Sequence, residues 1–528
     1  MKNGKIWKIL YTVLYALQLI AEAGTLTAIL RLNMLPNKFL IPVIALFVLG
    51  LLVTGLLLFI PAKKRRGIGR RIIACLLAIA VIGLCVFAFS AIDKLQNTMD
   101  NITDTEDLEN AAVTRQVYVM QWDPAQTLED AAGYTFGLVA NYDTANTEGA
   151  IVTMEQQLGK TLLTKAYASI PEMLDALIAG ECQAIIVNDG TLFILQDQEP
   201  YENLQQTIRL LHDAEVLKQS QPEQSGEQDE QDKQDGQDAQ KPSTSTKPPI
   251  VVRPDKSFDP STTPFIMYVS GLDSHGTKLY RSRSDVNILM VVNPNTKQIL
   301  LVNTPRDYFV PNPGGNGVYD KLTHCSAYGF ENSLIAISEL YDIELNYYSR
   351  INFTGFKKLV DAVGGVDVYS NVTYHRNGVQ IVKGMNHLDG EGALVFARER
   401  KYLAAGDNDR GKNQMKIIKA IIEKATNGTT IITNYTEILE SLGGMFVTSM
   451  SNRELRSLVK MQLDDMAKWD IQTYAVTGEG GWEYTYSSPG LKSWVMYQDE
   501  GRVEYGTQLI NRVLNGEILT EEDVKYPG

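Results

Sequence analysis

Reactive and metal-binding side chains are scarce in this chain, with four cysteines and five histidines among 528 residues. Cys75 and Cys85 fall inside an apolar run, while Cys182 and Cys325 stand far apart. Their spacing matches neither a zinc knuckle nor a disulfide framework, so each reads as a small buried hydrophobe. His275 stands near Asp273, whereas His324, His375 and His387 share no spacing with other ligands. No Ser-His-Asp ordering is recognisable. The Gly-rich Pro311–Gly317 lacks the Lys-Ser/Thr of a phosphate-cradling loop and reads as a turn. Positive charge is short too: 49 Lys and Arg against 62 Asp and Glu leave a net charge of −13. A general nucleic-acid binder would be basic, and that class is excluded.

What the chain does have, at its start, is uninterrupted apolar sequence. Phe39–Ile60 and Ile72–Ser90 each run without an internal charge, and a membrane-spanning helix needs about 20 such residues. Ile9–Leu30 is a third span, interrupted by Gln18 and Glu22; an uncleaved signal peptide is its competing reading. Glu22 reads as a helix–helix contact or an interfacial acid before an ion pathway. Lys2, Lys5 and Lys8, and the basic Lys63–Arg71 stretch, place the N-terminus and the second loop in the cytoplasm. Everything after Asp93 then falls outside, giving a multi-pass plasma-membrane protein with a large extracytoplasmic part.

Composition divides the remainder. Residues 93–216 read as a helical stalk over Asp93–Asn110 and a small α/β accessory domain, with strands near Val117, Phe136 and Ala184–Asn188 and helices over Glu148–Leu158 and Ile170–Ala179. This stretch loosely resembles a lobe of a periplasmic solute-binding protein, but a spacer that orients the main body is the preferred reading. Residues 217–259, rich in Gln, Asp, Glu and Pro, have nothing to bury and read as a disordered linker. Residues 260–480 form the main body and 481–528 a C-terminal extension. In the body, Leu322–Leu340 and Phe353–Val363 have helical spacing, Tyr347–Ile351 and Val366–Val368 read as strands, and Gly364–Gly365 ends a helix. Short helices at Ile438–Leu442 and Glu454–Met466 and a strand near Ile471–Val476 follow. The expectation is an α/β sandwich with a mixed central sheet.

Two polar clusters stand out in that body. Phe265–Val269, Val286–Val292 and Ile299–Val302 are short β-branched strands whose ends carry Asp273, Arg281, Arg283, Asp285, Arg306 and Asp307. Two carboxylates beside several arginines suit a divalent cation holding a polyanion, since Mg²⁺ takes one or two carboxylates and arginine grips phosphate oxygens in pairs. Ordinary ion pairing at strand ends is the alternative. Downstream lie Arg398, Arg400, Asp407, Arg410 and Gln414. Arg398 and Arg400 cannot share a helix face, so either the helix has ended near Ala397 or only one points inward. Asp407 and Arg410 can meet across one helical turn, as a plain salt bridge or with Asp407 orienting an arginine or taking a proton.

Four motifs together carry a resemblance: Arg283–Asp285 (RSD) with Asp273, Thr304–Asp307 (TPRD), Leu359–Val368 (LVDAVGGVDV), and Arg398–Gln414 (RER…D..R…Q). Over Pro264–Gly478 the chain resembles the LytR–CpsA–Psr phosphotransferases of Gram-positive cell walls. The resemblance implies a Mg²⁺-dependent transferase moving an anionic or capsular glycopolymer from a polyprenyl-pyrophosphate carrier onto peptidoglycan. Asp273 and Asp285 are then the Mg²⁺ ligands, and Arg283, Arg306, Arg398, Arg400 and Gln414 bind the pyrophosphate. Arg306, Arg398, Arg400, Asp407 and Arg410 are then the catalytic set. An arginine frequent in the family is replaced here by Asn413. The rivals are a polyprenyl-pyrophosphate hydrolase and a non-catalytic envelope sensor.

Overall fold

The computed structural model describes residues 2–60, 64–103, 113–140, 144–188, 192, 195, 201, 203–216, 258–274, 279, 283–426 and 442–527. Residues 217–257 of the linker, Arg281, His275, the stalk beyond Thr103 and most of the helix anticipated at Ile438–Leu442 lie outside the described residues. Three helices open the chain: α1 (Lys2–Leu32), α2 (Asn37–Phe59) and α3 (Lys64–Thr103). All three are long and apolar enough to cross a membrane. Gln18 and Glu22 are buried at the inter-helix contact, where Gln18 Nε2 donates to Glu22 Oε1 at 2.8 Å. A lone acid packed this way is a helix–helix contact residue.

The accessory unit contains β1 (Val113–Met120), β2 (Thr135–Val139), α4 (Thr144–Leu158), β3 (Leu163–Tyr167), α5 (Ile170–Ile178), β4 (Ala184–Val187) and β5 (Ile208–Val216). Its sheet runs in the order β3-β2-β4-β1-β5, with β3, β2 and β4 parallel and β1 antiparallel to both its neighbours. Ser169 caps α5 by accepting from the Glu172 N–H, with Pro171 in the first turn.

The main body is built on β6 (Phe265–Leu272), β7 (Ser284–Asn293) and β8 (Gln298–Asn303), followed by the hairpin β9 (Phe309–Pro311) and β10 (Tyr319–Lys321). Next come α6 (Phe330–Tyr341), β11 (Tyr347–Asn352), α7 (Phe353–Ala362), β12 (Val366–Ser370), β13 (Tyr374–Arg376), β14 (Val379–Ile381) and β15 (Gly384–Leu388). The chain continues through α8 (Gly390–Arg398), α9 (Asp407–Thr426), β16 (Phe446–Thr448), α10 (Asn452–Asp465) and β17 (Asp470–Ala475). It closes with the hairpin β18 (Gly478–Thr485) and β19 (Ser488–Gln498) and helix α11 (Glu500–Leu514). The central sheet is mixed, in the order β16-β11-β6-β7-β8-β17.

Strand alternation assigns the two faces. Ile266, Tyr268, Leu289, Val291, Leu300 and Val302 enter one core with Ile337, Tyr341 and Leu509, while Phe265, Met267, Ile288, Val292, Ile299 and Leu301 enter a second with Met415 and Trp469. A sheet buried on both faces explains why its strands read as continuous apolar runs.

Two expectations change. Leu322–Leu340 is not one helix: a turn at Leu322–Cys325 and a tight turn at Ser326–Tyr328 precede α6, broken where Gly329 takes φ 135°. Only glycine enters that region freely, so the periodic pattern is cut by one residue. Residues 481–528 are also more than an appendage, because Met496, Val503, Leu509, Ile510, Val513 and Leu519 are buried in the first core. Gly364 and Gly365, at φ 81° and 78°, end α7 as anticipated.

The C-terminal ends of α1 and α3 rest on this body. Leu32, Met34, Leu95, Met99 and Ile102 cluster with Phe446, Leu455 and Val459, and Lys460 Nζ donates to Asn33 Oδ1 at 3.2 Å. Leu509→Ala, at a fully buried position of α11, should cost about 3 kcal/mol, read as a fall in unfolding midpoint of the detergent-solubilised protein.

Candidate functional site at the carboxyl end of the central sheet

The β6–β7 return builds the first half of the site. The two strands are antiparallel, and the Asp273 N–H donates to the Arg283 carbonyl at 3.2 Å. Asp273 thus follows one strand and Asp285 lies at the start of the next. Arg283 Nη2 donates to Asp273 Oδ2 at 2.7 Å, and Arg306 Nη1 donates to Asp285 Oδ1 at 2.9 Å. Thr323 Oγ1 adds a bond to Asp285 Oδ1 at 3.2 Å, while Lys321 Nζ pairs with Asp307 at 3.3 Å.

The second half comes from α8 and α9. Helix α8 ends at Arg398, and the chain turns around the fully buried Glu399. Glu399 Oε1 accepts the N–H groups of Arg400 at 2.8 Å and Tyr402 at 3.1 Å, and its Oε2 takes Arg376 Nη1 at 3.1 Å. That turn is why Arg398 and Arg400 both line the cavity although they are two positions apart. Arg398 stacks over the Phe353 ring at 4.3 Å and lies 3.7 Å from Asp273 Oδ1. Asp407 stands behind Arg410, whose Nη2 is 2.6 Å from its Oδ1. Gln414 Nε2 donates to the Ala397 carbonyl at 3.4 Å and ties the two helices together. Asn413 is buried and accepts from Lys416 at 3.4 Å.

Asp273, Arg283, Asp285, Arg306, Arg398, Arg400, Arg410 and Gln414 all line one cavity of about 790 Å³. Asp407 reaches it only through Arg410. No motif or spacing marks Lys321 and Arg376, which line the same cavity from hairpins, nor Phe353 and Trp494. His324 lies apart. Its Nδ1 is 2.7 Å from both Asp320 Oδ1 and Ser487 Oγ, so serine and aspartate share one ring nitrogen. A hydrolytic triad uses opposite nitrogens, and this fully enclosed set is a structural tie between β10 and the β18–β19 turn.

The cavity is polar at one end and apolar along its length. Along β6 it is lined by Met267, Val269, Gly271 and Asp273, a run of about 20 Å at the strand rise. Along α9 it meets Arg410, Gln414, Ile417, Ile418, Ile421 and Ile422, a stripe of about 18 Å. Phe446 lies in the apolar wall and also packs against the ends of α1 and α3.

Electrostatics keep the polar end charged. Burial alone would push the Asp285 carboxyl up, but Arg306, Arg410 and Arg283 outweigh it and hold it well below the usual range. Asp307 is lowered likewise, against burial, by Arg306 and Lys321. Burial raises the Asp407 carboxyl despite Arg410. Among the described residues, buried Arg410 Nε has no hydrogen-bond partner, and Arg306 Nε has only a long 3.5 Å contact with Asp307 Oδ2. Orphaned guanidinium donors beside a cavity are what an anion would satisfy.

No group of three or more His, Cys, Asp or Glu ligands occurs among the described residues. The donor set does fit a hard cation. Asp273 and Asp285 offer carboxylate oxygens, and Mg²⁺ completes its shell with water and substrate phosphate oxygens.

The depressed Asp285 group contributes stability above the unfolded carboxyl value of about 4, lost as pH falls toward its lower folded value. The gap in unfolding midpoint between wild type and Asp285→Asn should therefore be largest near neutrality and shrink as pH falls below about 4. A gap independent of pH would contradict the ion-pair account.

Residues 222–500 match the family model described as LytR_cpsA_psr family. The chain is 32% identical over 256 residues to the polyisoprenyl-teichoic acid–peptidoglycan teichoic acid transferase TagU of Enterococcus faecalis, covering 48% of this chain and 80% of that protein. It is 33% identical over 230 residues to the same-named protein of Halalkalibacterium halodurans, covering 43% and 74%. Among solved structures it is similar to B. subtilis TagV, with 25% identity and a TM-score of 0.41 over 48% of this chain and 98% of that one. It is also similar to the LytR-CPS2A-psr family protein YwtF (TagT) with bound octaprenyl pyrophosphate lipid, with 24% identity and a TM-score of 0.38 over 51% and 98%. The strand-end carboxylates, the later arginines and the family match fall on the same stretch, and this chain belongs to the LytR_cpsA_psr family.

Proposed function

We propose that the protein is a membrane-anchored phosphotransferase that moves an anionic or capsular glycopolymer from a polyprenyl-pyrophosphate carrier onto peptidoglycan. The observation that carries this reading is the graded cavity, with arginines and aspartates at the sheet end and isoleucines along the rest. A diphosphate attached to a long apolar chain has the same polarity gradient. Phe446, shared between the cavity wall and the spanning-helix contact, gives that chain a route from the bilayer. The flanking lysines and arginines support a cytoplasmic N-terminus and an extracytoplasmic body.

In this reading Arg283, Arg306, Arg398 and Arg400 grip the diphosphate oxygens, with Gln414 beside them. Their charge stabilises the build-up on the leaving phosphate, which is where phosphoryl transfer gains most of its acceleration. Arg410 adds to that field, and Asp407 positions it from behind. A peptidoglycan hydroxyl oxygen bonds to the phosphorus next to the sugar as the bridging P–O bond breaks, and polyprenyl phosphate leaves carrying the hydroxyl proton. Asp273 and Asp285 would hold Mg²⁺, which supplies positive charge to the diphosphate when bound.

Arg306→Ala and Asp285→Ala should each lower polymer attached to purified wall by at least about a hundredfold, the scale of one lost oxyanion donor. Unchanged attachment would discredit the assignment, and polyprenyl phosphate release without wall attachment would make the protein a hydrolase. Chelation with EDTA should lower transfer at least tenfold and added Mg²⁺ should restore it; full turnover in EDTA removes the cation from the site.

A further inference from the structure

The β18–β19 hairpin carries two aromatic side chains, Trp482 and Tyr484, that neither core takes up, beside Trp494, which packs against the first core. Residues directly opposite in an antiparallel pair share a face, and Trp482 is paired with Trp494 while Tyr484 is paired with Lys492. Trp482 and Tyr484 are two apart on one strand, so Trp494, Trp482 and Tyr484 form one strip on one face. Trp494 lies in the wall of the donor cavity. Moving along the strip away from it, the rings become open to solvent: Trp482 is 62% exposed and Tyr484 57%.

The hairpin is shaped for this. A Cβ at Gly480 would meet Trp494 at 2.8 Å, so the glycine lets the indole lie across the neighbouring strand. The hairpin is also held at both ends. Ser487, in its turn, bonds to the enclosed Asp320 and His324, and the Met496 N–H donates to the Asp307 carbonyl at 2.8 Å. Asp307 is the last residue of the TPRD segment that carries Arg306. The strip is therefore fixed rigidly to the polar end of the cavity, and lowering the exposure of two large rings requires an occupant.

We propose that this strip is the acceptor subsite and binds a glycan strand. This rests on the transfer reading above. A pyranose ring presents a flat face of C–H bonds that stacks on an aromatic ring, while its hydroxyls stay outward. The strip is made of rings with Lys492, opposite Tyr484 and 5.4 Å from its ring, on the same face as a cation that can bond sugar hydroxyls. Its continuity with the cavity through Trp494 brings a bound strand's hydroxyls to the arginines that hold the diphosphate.

The test uses the full-length protein in detergent and two separate measurements. Co-sedimentation with purified peptidoglycan reads the strip without any donor. Titration with farnesyl pyrophosphate reads the donor end without any glycan. The Trp482→Ala/Tyr484→Ala pair should weaken co-sedimentation about tenfold or more with an unchanged unfolding midpoint, and Trp482→Phe/Tyr484→Phe should restore it. Arg306→Ala should lose farnesyl pyrophosphate binding and keep co-sedimentation. Wild-type protein that does not sediment, or an Ala pair that sediments as wild type, overturns the strip. A change in oligomeric state on substitution, with glycan binding intact, assigns the strip to a second copy and also overturns it. Loss confined to the farnesyl pyrophosphate arm of wild type would instead sink the transfer reading and leave the strip standing.

Discussion

Crowding of like charge at the end of the central sheet is the constraint from which the rest follows. Six arginines, Arg283, Arg306, Arg376, Arg398, Arg400 and Arg410, line one cavity. Without compensation they would repel one another and resist burial. Asp273, Asp285, Asp307, Glu399 and Asp407 are interleaved with them, each pairing with at least one. The carboxylates are thus as much a scaffold as the arginines are a binding surface. Arg306 shows the balance: burial would lower its proton affinity, yet Asp285, Asp307 and Asp407 together raise it.

A scaffold of this kind is preorganised. Arg398 is held over Phe353, and the loop that carries Arg400 is pinned by Glu399. The diphosphate proposed above would find its partners already placed, which is how fixed charge stabilises a developing anion at little cost in reorganisation. The apolar remainder of the cavity runs beside α9 and β6, so the isoleucines of α9 that pack into the neighbouring cores also line its volume. An apolar cavity of this size is costly when empty and suits a hydrophobic occupant.

Much of the fold was readable in advance because its signals are local. β6, β7 and β8 are short β-branched runs, α7 ends at two glycines, and α1, α2 and α3 are long apolar stretches. The break before α6 was hidden, because Leu322–Leu340 keeps helical spacing across Gly329 and only the backbone angle there reveals the interruption. The role of residues 481–528 was hidden as well. Leu509 and Val513 look like any amphipathic helix until the sheet they cover is known. Lys321 and Arg376 were missed for a third reason: each sits in a small hairpin remote in sequence from both polar clusters, and a lone cation in a loop carries no pattern.

By itself the amino-acid sequence determined which side chains are charged, which runs are apolar, and that two acid-and-arginine clusters flank buried strands, since these depend on residue type and spacing alone. Only the tertiary structure decided that the clusters face each other across one cavity, that Asp407 stands behind Arg410, and that Trp494 joins the cavity wall to an exposed aromatic strip. Those facts depend on how β6, α9 and β19 pack, and packing is settled by contacts between residues more than a hundred positions apart, whose meeting no local periodicity can encode.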